Sequence, residues 1–285
     1  MPRVAAVDIG TNSTRLLVAD VDGETVTPVV RLAKITHLGE GVDAARRLLP
    51  DAIARVYTVL AEYRAELEAL GAERTVAVGT SAVRDAANGA EFMRGVAASF
   101  GFETRLLSGD EEAELNRRGV GADDDSTLIL DVGGGSTELI AGRFQTSLDV
   151  GSVRLAERFL RDDPPPVSQR EAAAAFVDSL LPDLDVRACI GVGGTAAQLH
   201  ALVGELTLDA VESELDRLAA LPLAERRRVP RLDPDRAPVI VTGALIVRQV
   251  LRRYGLDRLA YSERDLLDGL VLTACSASAT SRRCP

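Results

Sequence analysis

Two periods of apolar residues take turns along this chain. Val4–Asp8 is a short apolar run that predicts a strand, and it breaks at Asp8-Ile9-Gly10-Thr11-Asn12-Ser13. Arg15–Val21 returns as a second strand, Asp22-Gly23 signals a hairpin turn, and Glu24–Thr36 continues as a third strand. A helical period runs from about Asp51 to Leu70 and stops at Gly71. Thr75–Val78 predicts a strand, Thr80–Arg84 the opening of a helix, and Ala90–Phe100 a further helix closed by Gly101. Glu103–Leu107 (strand) and Asp110–Gly119 (helix) complete this first set. The pattern then restarts with Thr127–Asp131 (strand), Val132-Gly133-Gly134-Gly135-Ser136-Thr137 (loop) and Glu138–Ala141 (strand), with a turn at Gly142-Arg143. Helical periods dominate from Ser152, interrupted by the stiff connection Pro164-Pro165-Pro166. A short strand at Cys189–Gly191 leads into Gly193-Gly194-Thr195. Ala237–Tyr254 predicts a long buried helix, Leu259–Ser262 a strand, and Arg264–Cys275 a last helix.

The restart is a repeat. Asp8-Ile-Gly-Thr-Asn-Ser-Thr-Arg-Leu-Leu-Val aligns with Asp131-Val-Gly-Gly-Gly-Ser-Thr-Glu-Leu-Ile-Ala at one constant offset. Asp8/Asp131, Gly10/Gly133, Ser13/Ser136, Thr14/Thr137 and Leu16/Leu139 are identical. Two related α/β domains in tandem are expected, residues 1–121 and 122–275, with a ligand cleft between them and a flexible tail at 276–285.

Composition narrows the partners. The net charge of −10 argues against a general nucleic-acid binder, although local arginines can still hold a polyanion. Apolar residues make up 46% of the chain, enough for a full core without metal or disulfide staples. No apolar run approaches the ~20 residues that span a bilayer, so no membrane association is expected. Cys189, Cys275 and Cys284 are too widely spread for a zinc site. Their odd count, with no signal-peptide pattern, predicts a reducing, cytoplasmic setting. The two histidines, His37 and His200, are isolated and suggest no ligand pair. A homodimer is only the base-rate expectation.

Both repeated loops combine a strand-end Asp with glycines and hydroxyls. Glycine lets backbone N–H groups approach an anion without a Cβ in the way, and a strand-end Asp can hold a divalent cation that neutralises phosphate. Thr80-Ser81-Ala82-Val83-Arg84 reads either as a simple helix cap with a solvated Arg84 or as an anion site clamped by it. Asp110, Glu111 and Glu112 suit a helix first turn, yet a carboxylate near a phosphate site is also what orients an attacking water. Spacing does not choose between Glu111 and Glu112. Gly193-Gly194-Thr195 reads as a third phosphate loop or as a plain turn. Arg226-Arg227-Arg228 with Arg231 reads as a solvated basic face in preference to a polyanion landing strip.

Taken together, these segments resemble the exopolyphosphatase / guanosine pentaphosphate phosphohydrolase family of the sugar kinase–Hsp70–actin superfamily. The resemblance rests on Asp8–Arg15 (with Thr11 where Ser is usual), Thr80–Arg84, Ser108–Ala113, Asp131–Glu138, Gly193–Thr195, Asp235–Ala244 and Glu263–Gly269, in order over nearly the whole chain. It implies two actin-like (ribonuclease H-like) domains and cleavage of terminal phosphate from inorganic polyphosphate, or alternatively from guanosine pentaphosphate. Glu112 would then activate water and Arg84 hold the phosphate. Asp131 and Glu138 would position Mg2+ (or Mn2+) or the water beside it, with Asp8 a further metal residue. Asn12, Ser13, Thr14 and Arg15, Gly133, Gly134, Gly135, Ser136 and Thr137, and Gly194 and Thr195 would cradle phosphoryl oxygens. Longer family members carry further C-terminal helical domains, so the resemblance favours shorter chains as substrate. Ala197 stands where a hydroxyl commonly follows the third loop. An actin-like kinase or ATPase and a non-catalytic phosphate sensor are the other classes the fold allows.

Overall fold

The computed structural model describes residues 1–122 and 124–281. The chain divides into two units. One holds Met1–Gly121 together with the chain from Arg264 on, and the other holds Ala122–Glu263.

The first unit is built from β1 (Arg3–Ile9), β2 (Ser13–Asp22), β3 (Thr25–Ile35), the short α1 (Val42–Ala45), α2 (Pro50–Leu70), β4 (Arg74–Gly79), α3 (Ser81–Asp85), α4 (Gly89–Phe100), β5 (Glu103–Leu106) and α5 (Gly109–Val120). The second is built from β6 (Thr127–Val132), β7 (Thr137–Ala141), β8 (Phe144–Leu148), α6 (Ser152–Phe159), α7 (Val167–Leu180), β9 (Ala188–Val192), α8 (Gly193–Val203), β10 (Leu206–Thr207), α9 (Leu208–Ala219), α10 (Leu223–Arg226), α11 (Ile240–Arg253) and β11 (Arg258–Tyr261). α12 (Leu266–Ser281) ends the described chain.

The two sheets repeat one topology. The first has the order β3-β2-β1-β4-β5, with β1–β2 and β2–β3 antiparallel and β1–β4 and β4–β5 parallel. The second runs β8-β7-β6-β9-β11 in the same directions and adds the two-residue β10 beyond β11. This is the duplicated ribonuclease H-like arrangement expected of the actin-like fold. Strands β8 and β10 were not foreseen. β8 is half-exposed and lacks a strong apolar alternation, and β10 is too short to carry a period.

Alternation along β1 explains the layers of the first unit. Ala5, Val7 and Ile9 point to one face and pack with α2 and α4 residues such as Val56, Leu60, Phe92 and Val96. Val4 and Ala6 point to the other face and pack with Leu115 of α5 and with Leu266, Leu267, Leu270 and Val271 of α12. Both faces are therefore apolar and both need a cover.

That requirement corrects the expected domain boundary. Residues from 264 on do not close the second domain, because α12 is the cover of the first sheet's second face. Arg74 donates to the Ala274 carbonyl at 2.5 Å and Arg118 to the Thr273 hydroxyl at 3.2 Å, both within this unit. The expected tail is also corrected as far as it can be followed: α12 continues to Ser281, while 282–285 lie outside the described residues.

Two glycines let α5 and α12 approach. A Cβ on Gly119 would sit 1.9 Å from the Asp265 carbonyl oxygen, and one on Gly269 would sit 2.0 Å from that of Leu115. Backbone cannot give way as a flexible side chain does. Gly269→Ala is therefore expected to cost roughly 1–3 kcal/mol by overpacking. Urea unfolding checks this, and an unchanged midpoint would mean that the two helices are not held in this contact.

Candidate functional site

The repeated loops share their backbone as well as their sequence. The Gly10 N–H donates to the Ser13 carbonyl at 3.0 Å, and the Gly133 N–H to the Ser136 carbonyl at 3.0 Å. Asp8 faces Arg15 across β1–β2, and Asp131 faces Glu138 across β6–β7. At matched positions the first unit thus opposes a carboxylate with a guanidinium, and the second opposes it with another carboxylate. Like charges directly opposite destabilise a strand pair unless something neutralises them.

In the first unit the buried Asp8 accepts from Arg15 Nε at 3.0 Å and Nη2 at 2.8 Å, both on Oδ2. Arg15 also bonds Asp265 at the start of the last helical segment, and Arg31 pairs with Asp265 and Asp268. Asp8 Oδ1 is buried with no hydrogen-bond partner. Burial pushes the Asp8 carboxyl above its ordinary value, Arg15 pulls the other way, and the neighbouring Asp265 charge adds to the rise. Arg15, expected to grip phosphate, is thus engaged with aspartates. Asn12 Oδ1 lies 3.1 Å from His37 Nδ1, so His37 is not isolated but stands against the first loop. Ser13 is half-buried at the start of β2. The Thr14 hydroxyl is fully buried against that of Thr36 at 3.1 Å. The Thr14 side chain is thus turned into the hairpin interior.

The first loop meets the next one at the C-terminal ends of parallel strands, where ligands gather in open α/β sheets. The Thr80 N–H reaches the Ile9 carbonyl at 3.4 Å, and the Leu107 N–H reaches that of Gly79 at 3.0 Å. The Thr11 hydroxyl accepts the Ala82 N–H at 3.2 Å, so the first loop caps α3. No side chain at Thr80 caps that helix. Arg84 is not the solvated residue of the plain-cap reading. Its Nη1 donates to Glu112 Oε1 at 2.7 Å and to the Leu107 carbonyl at 2.9 Å.

The same helix start separates the two glutamates. Ser108 and Glu111 form a reciprocal capping box, and Glu111 also pairs with Arg105. Bonds from Ser108 and Arg105 hold its carboxyl below the usual range. Glu111 is thereby committed at the surface, whereas Glu112, next in sequence, is turned inward, buried and paired with Arg84.

In the second unit the glycine loop is wedged against α6. The Ser152 N–H donates to the Gly133 carbonyl at 2.8 Å, and the Val153 and Arg154 N–H groups to that of Gly134 at 2.8 and 3.1 Å. In a trans peptide C=O and N–H point in opposite directions. Fixing these two carbonyls on α6 therefore turns the Gly134 and Gly135 N–H groups to the other side, as an anion cradle needs. A Cβ on Gly151 would lie 2.5 Å or less from the Gly134–Gly135 peptide, so only glycine fits beneath it. Ser136 is buried in the same loop. The Thr137 hydroxyl donates to the Val150 carbonyl at 2.5 Å, and that of Thr195 to the Val132 carbonyl at 2.7 Å. Both hydroxyls therefore donate to backbone within the second unit.

Asp131 and Glu138 remain at the mouth of this loop. Glu138 Oε1 accepts from the Ser147 hydroxyl at 2.7 Å. Gly193 has φ +73°, and a Cβ there would meet Asp131 Oδ1 at 2.5 Å, so the aspartate leans on the start of α8. Gly194 lies under the Arg236 guanidinium, 2.5 Å from Nη1 to an added Cβ. Arg236, which lies against Gly194, and Arg154, whose backbone N–H meets the Gly134 carbonyl, were missed. Arg236 belongs to the segment 235–244 that carried the resemblance, but no sequence signal marks Arg154. Arg226 is the opposite case: its guanidinium is buried among the Leu218, Leu221 and Ala237 carbonyls, a structural clamp within the basic cluster.

The residues suit a cation only partly enclosed by protein. Among the described residues no group of three or more His, Cys, Asp or Glu side chains is placed to hold a metal. Within the second unit the facing carboxylates of Asp131 and Glu138 offer one or two oxygens each, and within the first unit Asp8 Oδ1 offers one. So few oxygens in either unit fit Mg2+, which keeps waters and takes substrate phosphate, and do not fit an all-protein cage.

Comparison with known proteins is consistent over the full length. The Ppx/GppA phosphatase family matches residues 17–277. Exopolyphosphatase 2 of Mycobacterium tuberculosis is 38% identical, over 96% of this chain and 98% of its own. An exopolyphosphatase from Cytophaga hutchinsonii superposes with a TM-score of 0.88 at 25% identity, covering 96% of this chain and 98% of that one. An Aquifex aeolicus Ppx/GppA protein superposes with a TM-score of 0.77 at 28% identity, covering 97% and 98%.

The raised Asp8 pKa carries a sign. A carboxyl that binds its proton more tightly in the folded state contributes stability below its ordinary value of 3.8 and loses it as pH rises through the folded value. Asp8→Asn fixes the neutral form, so its stability relative to wild type should increase as pH rises from 3.8. Urea titrations across pH test this, and a relative stability that falls with pH would mean that Arg15 outweighs burial.

Proposed function

Because the chain belongs to the Ppx/GppA phosphatase family, we propose that it is an exopolyphosphatase, removing the terminal phosphate from inorganic polyphosphate. The observation that carries this reading is the buried Glu112–Arg84 pair at the C-terminal end of the first sheet, beside a neighbour, Glu111, diverted to capping. A capping acid needs no buried arginine beside it, and taking a carboxylate and a guanidinium out of water is costly.

In the proposed reaction the oxygen of a water attacks the terminal phosphorus in line, and the anhydride P–O bond opposite it breaks. The electron pair leaves with the shortened chain and orthophosphate is released. Glu112 orients the water and accepts its proton. Arg84 fixes the Glu112 carboxylate and brings positive charge to the phosphoryl oxygens. The Gly134 and Gly135 N–H groups, turned away from α6, hold phosphate oxygens by backbone. Asn12 and Ser13 do so on the first loop, with Asn12 oriented by His37. Ser136 and Gly194 line the second unit's share. Arg15, Thr14, Thr137 and Thr195 keep the loops in shape and reach substrate at most through backbone.

Asp131 and Glu138 in the second unit, and separately Asp8 in the first, are the residues that would hold Mg2+ or Mn2+, which would neutralise charge on the phosphate chain. Little covalent chemistry is asked of the protein, so positioning and charge compensation supply most of the rate. Among the described residues no helix is long and apolar enough to cross a membrane. Burial pushes the Cys189 thiol upward, which suits an inert thiol, and the proposed setting is cytoplasmic.

Glu112→Gln is expected to lower kcat for phosphate release about 10²–10⁴-fold while polyphosphate still binds. Turnover close to wild type in that variant removes Glu112 from the chemistry. Glu111→Ala should instead cost about 1 kcal/mol of stability through the lost cap and keep kcat near wild type. A phosphate-release assay with Mg2+ on short polyphosphate, long polyphosphate, guanosine pentaphosphate and ATP tests the substrate. Preference for either nucleotide over both polyphosphates overturns the reading.

A further inference from the structure

The cross-strand row that carries Asp131 and Glu138 has a third member. β7 pairs with β8 as well as with β6, and the residue directly opposite Glu138 on the β8 side is Ser147. Side chains directly opposite in antiparallel strands share a face, so Asp131, Glu138 and Ser147 stand in one row on one face of the second sheet. The Ser147 hydroxyl donates to Glu138 Oε1 at 2.7 Å, a length usual for a hydroxyl on an ionised carboxylate.

The duplication supplies an internal control. The matching row of the first unit is Asp8, Arg15 and Ala33. There Arg15 is itself the donor, to Asp8 and Asp265, and its other neighbour in the row is a methyl group. Where the second unit has a carboxylate in place of that arginine, it also has a hydroxyl in place of that methyl. The acid and its donor change together. Core packing does not account for the serine, because β8 is an edge strand and position 147 is only half-buried. Glu138 itself is buried, and its last side-chain torsion, which turns the carboxylate plane, has no sharp preference of its own. One directed bond to Oε1 removes that freedom.

We infer that Ser147 is a positioning residue of the second unit's acidic pair: its hydroxyl fixes the plane of the Glu138 carboxylate and so sets how tightly a divalent cation is held. Hydrogen-bond partners standing behind ligating carboxylates orient them, and losing one typically costs about 10–100-fold in metal affinity. Ser147 has this role only on the reading of Asp131 and Glu138 as the residues that hold Mg2+ or Mn2+. It does not depend on which phosphate chain is the substrate.

Titration of Mn2+ into the full chain, followed by loss of the free-ion EPR signal, tests this without turnover. Circular dichroism and urea midpoints confirm that each variant is folded. Ser147→Ala should bind Mn2+ about 10–100-fold more weakly than wild type. Ser147→Thr keeps a hydroxyl on a strand that accepts β-branched residues, and should restore most of the affinity. Equal Mn2+ affinity in Ser147→Ala and wild type overturns the inference, even if the urea midpoint falls, because the serine would then serve structure alone. A loss that Ser147→Thr shares in full overturns it as well. Asp131→Asn tests the premise separately. If that variant binds Mn2+ as wild type does, the cation is not held at this pair and the role of Ser147 falls with it. A weakened Asp131→Asn beside an unaffected Ser147→Ala keeps the pair and removes only Ser147.

Discussion

The first unit depends on one arginine held between two aspartates. Arg15 lies on β2, one of its partners is Asp8 on β1, and the other is Asp265 at the entry to α12. The three come from opposite ends of the chain. This contact sets the strand-end carboxylate in place and anchors the last helix over an apolar sheet face that would otherwise meet water. A buried charge without its partner costs several kcal/mol, so each member holds the others to this arrangement. Arg31, Asp268, Gly119 and Gly269 extend the same seam by ion pairs and by close backbone contact.

The second unit carries the same hairpin without that arginine. Where Arg15 stands opposite Asp8, Glu138 stands opposite Asp131. Duplication kept the turn, the register and the strand order, and one changed position altered the charge logic. The first copy neutralises its aspartate from within. The second sets two acids opposite each other across the strand pair. A repeated motif thus carries two charge patterns: an arginine-paired aspartate in one unit and facing carboxylates in the other.

Hydroxyls and glycines divided their work in a way that composition does not announce. Thr137 and Thr195 look like phosphate donors in a motif, yet each donates its hydroxyl to a buried backbone carbonyl, and the Thr14 hydroxyl pairs with that of Thr36. The direction of the loop backbone is set from outside the motif. α6 pins the Gly133 and Gly134 carbonyls, and Gly151 makes room for them. The motif supplies flexibility, and a helix remote in sequence decides where it points.

The sequence by itself determined the class of fold, the duplicated strand-loop-strand units and most element positions. It also marked Arg84 and the acids 110–112, separately, as candidates for chemistry. The fold and its repeat follow from local periodicity and a self-match, which need no knowledge of distant neighbours. Tertiary structure decided the rest. It separated Glu112 from Glu111, because capping and burial depend on what surrounds the helix start. It returned α12 to the first unit, because only the folded sheet shows which face lacks a cover. It brought His37, Arg154 and Arg236 to the loops, because single polar residues far apart in sequence carry no period. Contacts made across long sequence separations leave no local trace in residue order, and they are the contacts that assign each side chain its task.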